Sequence, residues 1–164
     1  MKSLRIILAV TVVLAATSAC AQADAQKSFD QLKTLAGTWE GKTPEGMTAQ
    51  VIFRETSGGS ALLSEITDHE DMITMFHMDG ARLMATHYCA VGNQPRMAGT
   101  ASPDGKTFSF NFVDATNVLP SQPGHMQHLT VTLVDSNHHT ENWEFIEQDG
   151  KTLHHELFDL HRSK

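Results

Sequence analysis

The sequence predicts an all-β protein, a single antiparallel up-and-down β-barrel of ten strands behind a short N-terminal helix. Short runs rich in Val, Ile, Phe, Thr and Leu recur from residue 38 to residue 161, and helical periodicity is absent from all of them. Between them stand Ser57-Gly58-Gly59, Asp79-Gly80, Pro103-Asp104-Gly105 and Asp149-Gly150, residues that tolerate the positive φ of tight hairpins. Sequential strands joined in this way pair antiparallel, and closing the meander into a barrel removes both of its edges.

The chain opens with a segment that is not part of this fold. Lys2 and Arg5 precede the apolar run Ile6 to Ala16, which is too short to span a bilayer, and small residues follow, so residues 1–23 read as a secretory signal peptide. Ser18-Ala19-Cys20 also resembles the end of a bacterial lipoprotein signal, which leaves two outcomes: free export, or membrane attachment through a lipid on Cys20. Either outcome makes the location extracytoplasmic, periplasmic or secreted.

The domain itself is expected over 28–164. Ser28 stands as N-cap before Phe29, Leu32, Leu35 and Ala36 at helical spacing, with Gly37 as the stop. Strands are then expected at 38–43, 47–56, 60–69, 72–78, 81–90, 95–101, 106–113, 125–134, 139–148 and 151–161. The one long interruption, Ala115 to Gly124 with Pro120 and Pro123, reads as an ordered loop or lid.

Composition narrows the function. A chain of 164 residues with 40% hydrophobic content is sized for one core. A net charge of −7 argues against nucleic acid as a partner, because phosphate backbones are held by clustered cations. Two cysteines supply neither a disulfide framework nor a four-cysteine zinc site, and no metal ligand set is assigned; Cys89 is expected to be buried.

Gly37-Thr38-Trp39-Glu40-Gly41 follows the short helix and opens the first strand. In that setting it resembles the Gly-x-Trp signature of the calycin superfamily, which includes lipocalins, fatty-acid-binding proteins and nitrobindin-like haem barrels. The resemblance implies a Trp39 that plugs the closed end of the barrel and an interior able to hold one small apolar molecule. Its nitrobindin-like branch implies haem with a histidine ligand in the last strands, here His154 or His155. Lys42-Thr43-Pro44 departs from the glycine-rich continuation of that branch.

Strand alternation supplies the remaining candidates. With Asp79-Gly80 as a two-residue loop, Phe76 faces Leu83, Thr74 faces Ala85 and Met72 faces His87, with Cys89 on the same side as His87. His87, Cys89 and Arg96, near the corner Gly92-Asn93-Gln94-Pro95, read as a polar pocket rim. Phe108, Phe110 and Phe112 form an inward stripe, and Asp149-Gly150 places Phe145 opposite His154 and Trp143 opposite Glu156. His154 is then the interior histidine and His155 the solvated one, while His125, His128, His138 and His139 read as surface groups.

The leading expectation is an exported barrel that binds a small apolar molecule through Trp39, Phe76, His87, Cys89, Arg96, Phe110, Trp143 and His154. Three alternatives stand beside it: a haem barrel, a hydrolase-type or metal-dependent enzyme built on His87 and Cys89, and a filled barrel acting as an envelope interaction module. No complete catalytic constellation is visible, so no catalytic residue is assigned.

Overall fold

The computed structural model describes residues 22–42, 46–67 and 71–163. The expected leader up to residue 21, with Cys20, and the Thr43-Pro44 pair lie outside the described residues. A helix, α1, occupies residues 22–32 and tightens into a 3-10 turn at Lys33–Leu35. Ten strands follow: β1 Gly37–Lys42, β2 Thr48–Thr56, β3 Ala61–Ile66, β4 Met72–Asp79, β5 Arg82–Tyr88, β6 Gln94–Ala101, β7 Thr107–Thr116, β8 His125–Asp135, β9 His138–Ile146 and β10 Leu153–Arg162. Each pairs antiparallel with the next and β10 pairs with β1, so the sheet is a closed barrel.

The expected strands are all present, whereas α1 begins earlier than the Ser28 cap predicts. Ser28 lies inside the helix, where its hydroxyl donates to the Asp24 carbonyl at 2.9 Å and so no longer competes for a capping role. Phe29, Leu32 and Leu35 are buried and close one end of the barrel. The same end carries the β2–β3, β4–β5, β6–β7 and β8–β9 turns, while the opposite end, the mouth, carries the other five connections.

Closure depends on a seam between the first and last strands. Trp39 donates its indole N–H to the Leu35 carbonyl at 2.7 Å, which fixes the helix end to β1. The Arg162 guanidinium lies 4.2 Å from the Trp39 ring and donates to the carbonyls of Ala36 (2.8 Å), Thr34 (3.0 Å) and Ser136 (3.2 Å). One side chain thus joins β10, the helix exit and the β8–β9 turn through charge-assisted bonds and a cation–π contact. Gly41, opposite Leu160, allows β10 to approach, since a Cβ there would stand 1.9 Å from the Asp159 carbonyl oxygen.

The register of β9 and β10 is as expected, with Phe145 opposite His154 and Trp143 opposite Glu156. That of β4 and β5 differs: Asp79 pairs with Arg82, so Phe76 faces Ala85 and Thr74 faces His87. The loop residues are therefore Gly80 and Ala81, with Gly80 at φ +60° and Arg82 ion-paired to Asp79. Because the pairing slides by two residues, every side chain keeps its expected face.

Replacing Gly41 with Ala is expected to cost about 3 kcal/mol or more, because the clash is with backbone and must open the seam. Gly150→Ala, at a turn with φ +66° and open space around its Cβ, should cost only about 1 kcal/mol. Urea unfolding of both variants checks the difference.

Candidate functional site

Inside the barrel the apolar rows run from fully buried at the helix end to half-buried at the mouth. Phe53, Phe76, Phe108, Phe110, Trp143, Phe158 and Leu160 are buried, and Phe76 lies 5.2 Å from Phe110 and 6.5 Å from Phe53, ring centre to ring centre. On the same inward rows nearer the mouth, Met72, Phe112, Phe145 and Glu156 are only half-buried. The interior is a packed aromatic floor whose rows become half-buried towards the mouth.

Polar groups interrupt this core at a few points. His87 on β5 is fully buried, and its Nδ1 shares a 2.9 Å hydrogen bond with the Thr74 hydroxyl on β4. Its ring lies 4.9 Å from that of Trp143, and its Nε2 has no hydrogen-bond partner within the protein. Burial pushes the imidazole down to a pKa of about 4, so it is neutral at ordinary pH and its Nε2 offers either a donor or an acceptor according to tautomer. An unpaired buried polar atom of this kind costs about 1–3 kcal/mol, and His139 Nδ1 at the closed end is unpaired in the same way.

A second unpaired atom lies close in sequence. Asn93, in the β5–β6 turn, is buried; its amide donates to the Gly124 carbonyl at 2.7 Å while its Oδ1 has no partner. This bond fastens the long β7–β8 loop to the β5–β6 turn, helped by Asn117, whose amide donates to the Gly92 carbonyl at 2.6 Å. Gly124 lies against the Phe145 ring, which a Cβ would meet at 2.8 Å. The loop is therefore held in place at the mouth, and the isolated Leu119 to Gln122 bridge folds it back on itself.

The expected site residues fall into distinct places. Phe76, His87, Phe110 and Trp143 share the interior, while Trp39 sits in the plug at the closed end, with its ring 4.3 Å from that of His139. Cys89 lies just past β5 in the turn, half-buried rather than buried, and is not part of a disulfide. Arg96 is on the outer surface, away from the interior, where its Nε donates to Asp114 at 2.6 Å. On β7 an extra residue, Val113, stands between the partners of Arg96 and Met97, so Asp114 faces outward with Arg96 while Phe112 faces inward with Met97.

The last strand requires a correction of exposure. His154 is on the inward row with Phe158 and Leu160, yet it is 67% exposed and bonded to Glu147 at 2.9 Å. The row is right, but the position is at the rim, because His154 is the second residue of β10 and β1 pairs with that strand only from Asp159 onward. His155 is on the opposite, outward row with Glu144 3.7 Å away, and so cannot reach the interior.

His139, expected at the surface, is fully buried. Its Nε2 is 3.1 Å from Glu141 Oε1, and the other Glu141 oxygen accepts from the Trp143 indole at 3.0 Å. The signal for this row was present in the alternation of His139, Glu141, Trp143 and Phe145. The carboxylate is tolerated inside because both of its oxygens are paired within the same row. His125 and His128 do not converge: the first bonds Pro123 and Gln127, the second Asn111 and Thr130.

Two clefts of about 500 and 600 Å³ lie outside the barrel at the helix end, one between α1 and the β6–β7 turn, the other beside Trp39 and Arg162. Neither contains His87 or Asn93, the groups left unpaired near the mouth.

These features define a class of protein, the small closed ten-stranded barrel with a helical plug. The crystal structure of Rv2717c from M. tuberculosis is similar, with a TM-score of 0.57 and 17% sequence identity over 84% of this chain and 98% of that one. At that identity the likeness is one of fold. Neither the protein-family models nor the curated proteins give a match.

His87 has a measurable pH signature. An unfolded histidine takes up its proton near its ordinary value of 6.5, whereas the buried ring does so only near pH 4. Its contribution to stability is therefore complete above pH 6.5 and lost as pH falls from 6.5 through 4, by about 3 kcal/mol in total. Urea midpoints across that window should fall for the native protein and fall less for His87→Gln.

Proposed function

We propose that this chain is an exported, calycin-like barrel that binds a small, largely apolar molecule in a vestibule at its mouth. The observation that carries the reading is the buried, neutral His87 with Nε2 unpartnered above an aromatic floor. A ligand that places its polar end against His87 and Asn93 would satisfy both orphaned atoms while its apolar body lies along Met72, Phe112 and Phe145. Methionine and phenylalanine suit such a body, since Met adapts its shape and Phe offers broad contact. Rows that are apolar inside and mostly polar outside fit a barrel in water, the inverse of one whose outer face meets lipid. Export rests on the charged and apolar pattern of the leader.

A second reading is favoured by the position of His154. It is the C-terminal histidine on the inward row, at the rim beside half-buried Phe145, and could serve as a haem ligand there once released from Glu147. His155 does not fit that role, since it faces outward. Haem would bring redox and gaseous-ligand chemistry, and the protein would supply the histidine, the apolar floor and a neutral His87 nearby.

Native mass spectrometry of protein purified from its own host, with an absorbance spectrum, distinguishes the two. A bound mass without colour, displaced by added lauric acid and weakened about tenfold or more in His87→Leu, supports the apolar-ligand reading. A Soret band that is lost in His154→Ala and kept in His155→Ala supports haem instead. A chain that leaves the host without bound mass and takes up neither lauric acid nor haem overturns both readings.

A further inference from the structure

Away from the vestibule, three metal-ligating side chains converge on the outer face of the last two strands. His138 opens β9 and stands directly opposite His161 of β10, and Asp159 lies two residues before His161 on the same face. The ladder therefore fixes all three donors on one outward patch, since residues i and i+2 of a strand share a face and opposite residues are near neighbours. His138 Nε2 is 2.7 Å from Asp159 Oδ1 and His161 Nε2 is 3.5 Å from the same oxygen. The two imidazoles stack with centres 4.3 Å apart and planes 21° from parallel. One ligand atom from each residue lies within 4.8 Å of the others.

We propose that His138, Asp159 and His161 form a binding site for a borderline divalent cation of the zinc class. Two imidazole nitrogens and one carboxylate oxygen suit such an ion, which asks for short N and O bonds in tetrahedral geometry. The three donors need only small side-chain rotations to surround it, because both Nε2 atoms already aim at one carboxylate oxygen. The cation takes the place of the proton in the hydrogen bond between His138 and Asp159. Three protein ligands leave one position open, and two carboxylates flank it by register, Glu40 opposite His161 on β1 and Asp135 opposite His138 on β8. Lys42, opposite Asp159, is the competing cation.

This arrangement joins β9 to β10, the strand that closes the barrel, so occupancy ties that hairpin together from the outside. Because the ion binds the folded ladder and not the separated strands, it raises stability by mass action. The site is independent of the vestibule, and its occupancy decides nothing about the apolar ligand.

Titration calorimetry with zinc chloride alone, on protein stripped with a chelator, tests the assignment. The expected result is a one-to-one complex, weakened about tenfold or more in His161→Ala and in Asp159→Asn, with a zinc-dependent rise in melting temperature that both variants lose. His128→Ala, which leaves this patch intact, should bind zinc as the native protein does. If zinc does not bind, or binds equally to the native protein and the His138→Ala/His161→Ala double variant, the site is refuted. Asp159 and His161 are exposed, so the His161→Ala and Asp159→Asn variants should keep the native melting temperature without zinc. Should one not, the ring resonances of His138 and His161 in the native protein, which must move together as zinc is added, decide the matter.

Discussion

The arrangement depends on closing the sheet between its first and last strands. A ten-stranded meander left open would expose two long edges, each a row of unpaired backbone groups ready to join another chain. Gly41 removes the Cβ that would collide with Asp159, and Arg162 stacks on Trp39 while holding the carbonyls of Thr34, Ala36 and Ser136. The helix is a consequence of the same seam, because Trp39 binds the carbonyl at its exit and Phe29, Leu32 and Leu35 fill the end so defined. Once one end is plugged, access to the interior is from the other.

The division of the interior follows. Where neighbouring strands surround a row on all sides, large rings pack and exclude water. Towards the mouth the same rows lose neighbours and become half-buried at Met72, Phe112, Phe145 and Glu156. His87 and Asn93 lie below that boundary, each with one atom that the protein does not satisfy. Glu141 offers the contrast: equally buried, it has both oxygens engaged, by His139 and by Trp143. A satisfied buried group specifies a core, whereas an unsatisfied one beneath a vestibule marks a place where a partner can add free energy.

Much of this was legible in the sequence. The ten strands are marked by runs of apolar and β-branched residues, four of their connections by turn residues whose backbone needs are strict, and the faces of Phe76, His87 and Trp143 follow from alternation alone. The slide of two residues between β4 and β5 left the faces unchanged, which is why His87 was placed inside despite the wrong partner. Exposure along a row was not legible: alternation put His154 inward, but where a row rises past its neighbours depends on how strands are staggered around the barrel. Arg96 lies outside because alternation from the inward Met97 turns it outward, and an extra residue on β7, Val113, turns Asp114 out to meet it. His138, Asp159 and His161 come together only through the pairing of β9 with β10, and their spacing along the chain gives no hint of it.

The central claim is that a ligand occupies the vestibule against His87. Heteronuclear NMR of the labelled protein during titration with lauric acid tests it directly. The account predicts saturable shifts of the His87 ring nitrogens, the Asn93 amide and the Met72 methyl, with the helix-end residues unmoved. Shifts confined to Gln31, Leu83 and Gly99, which line the outer cleft beside α1, would contradict it.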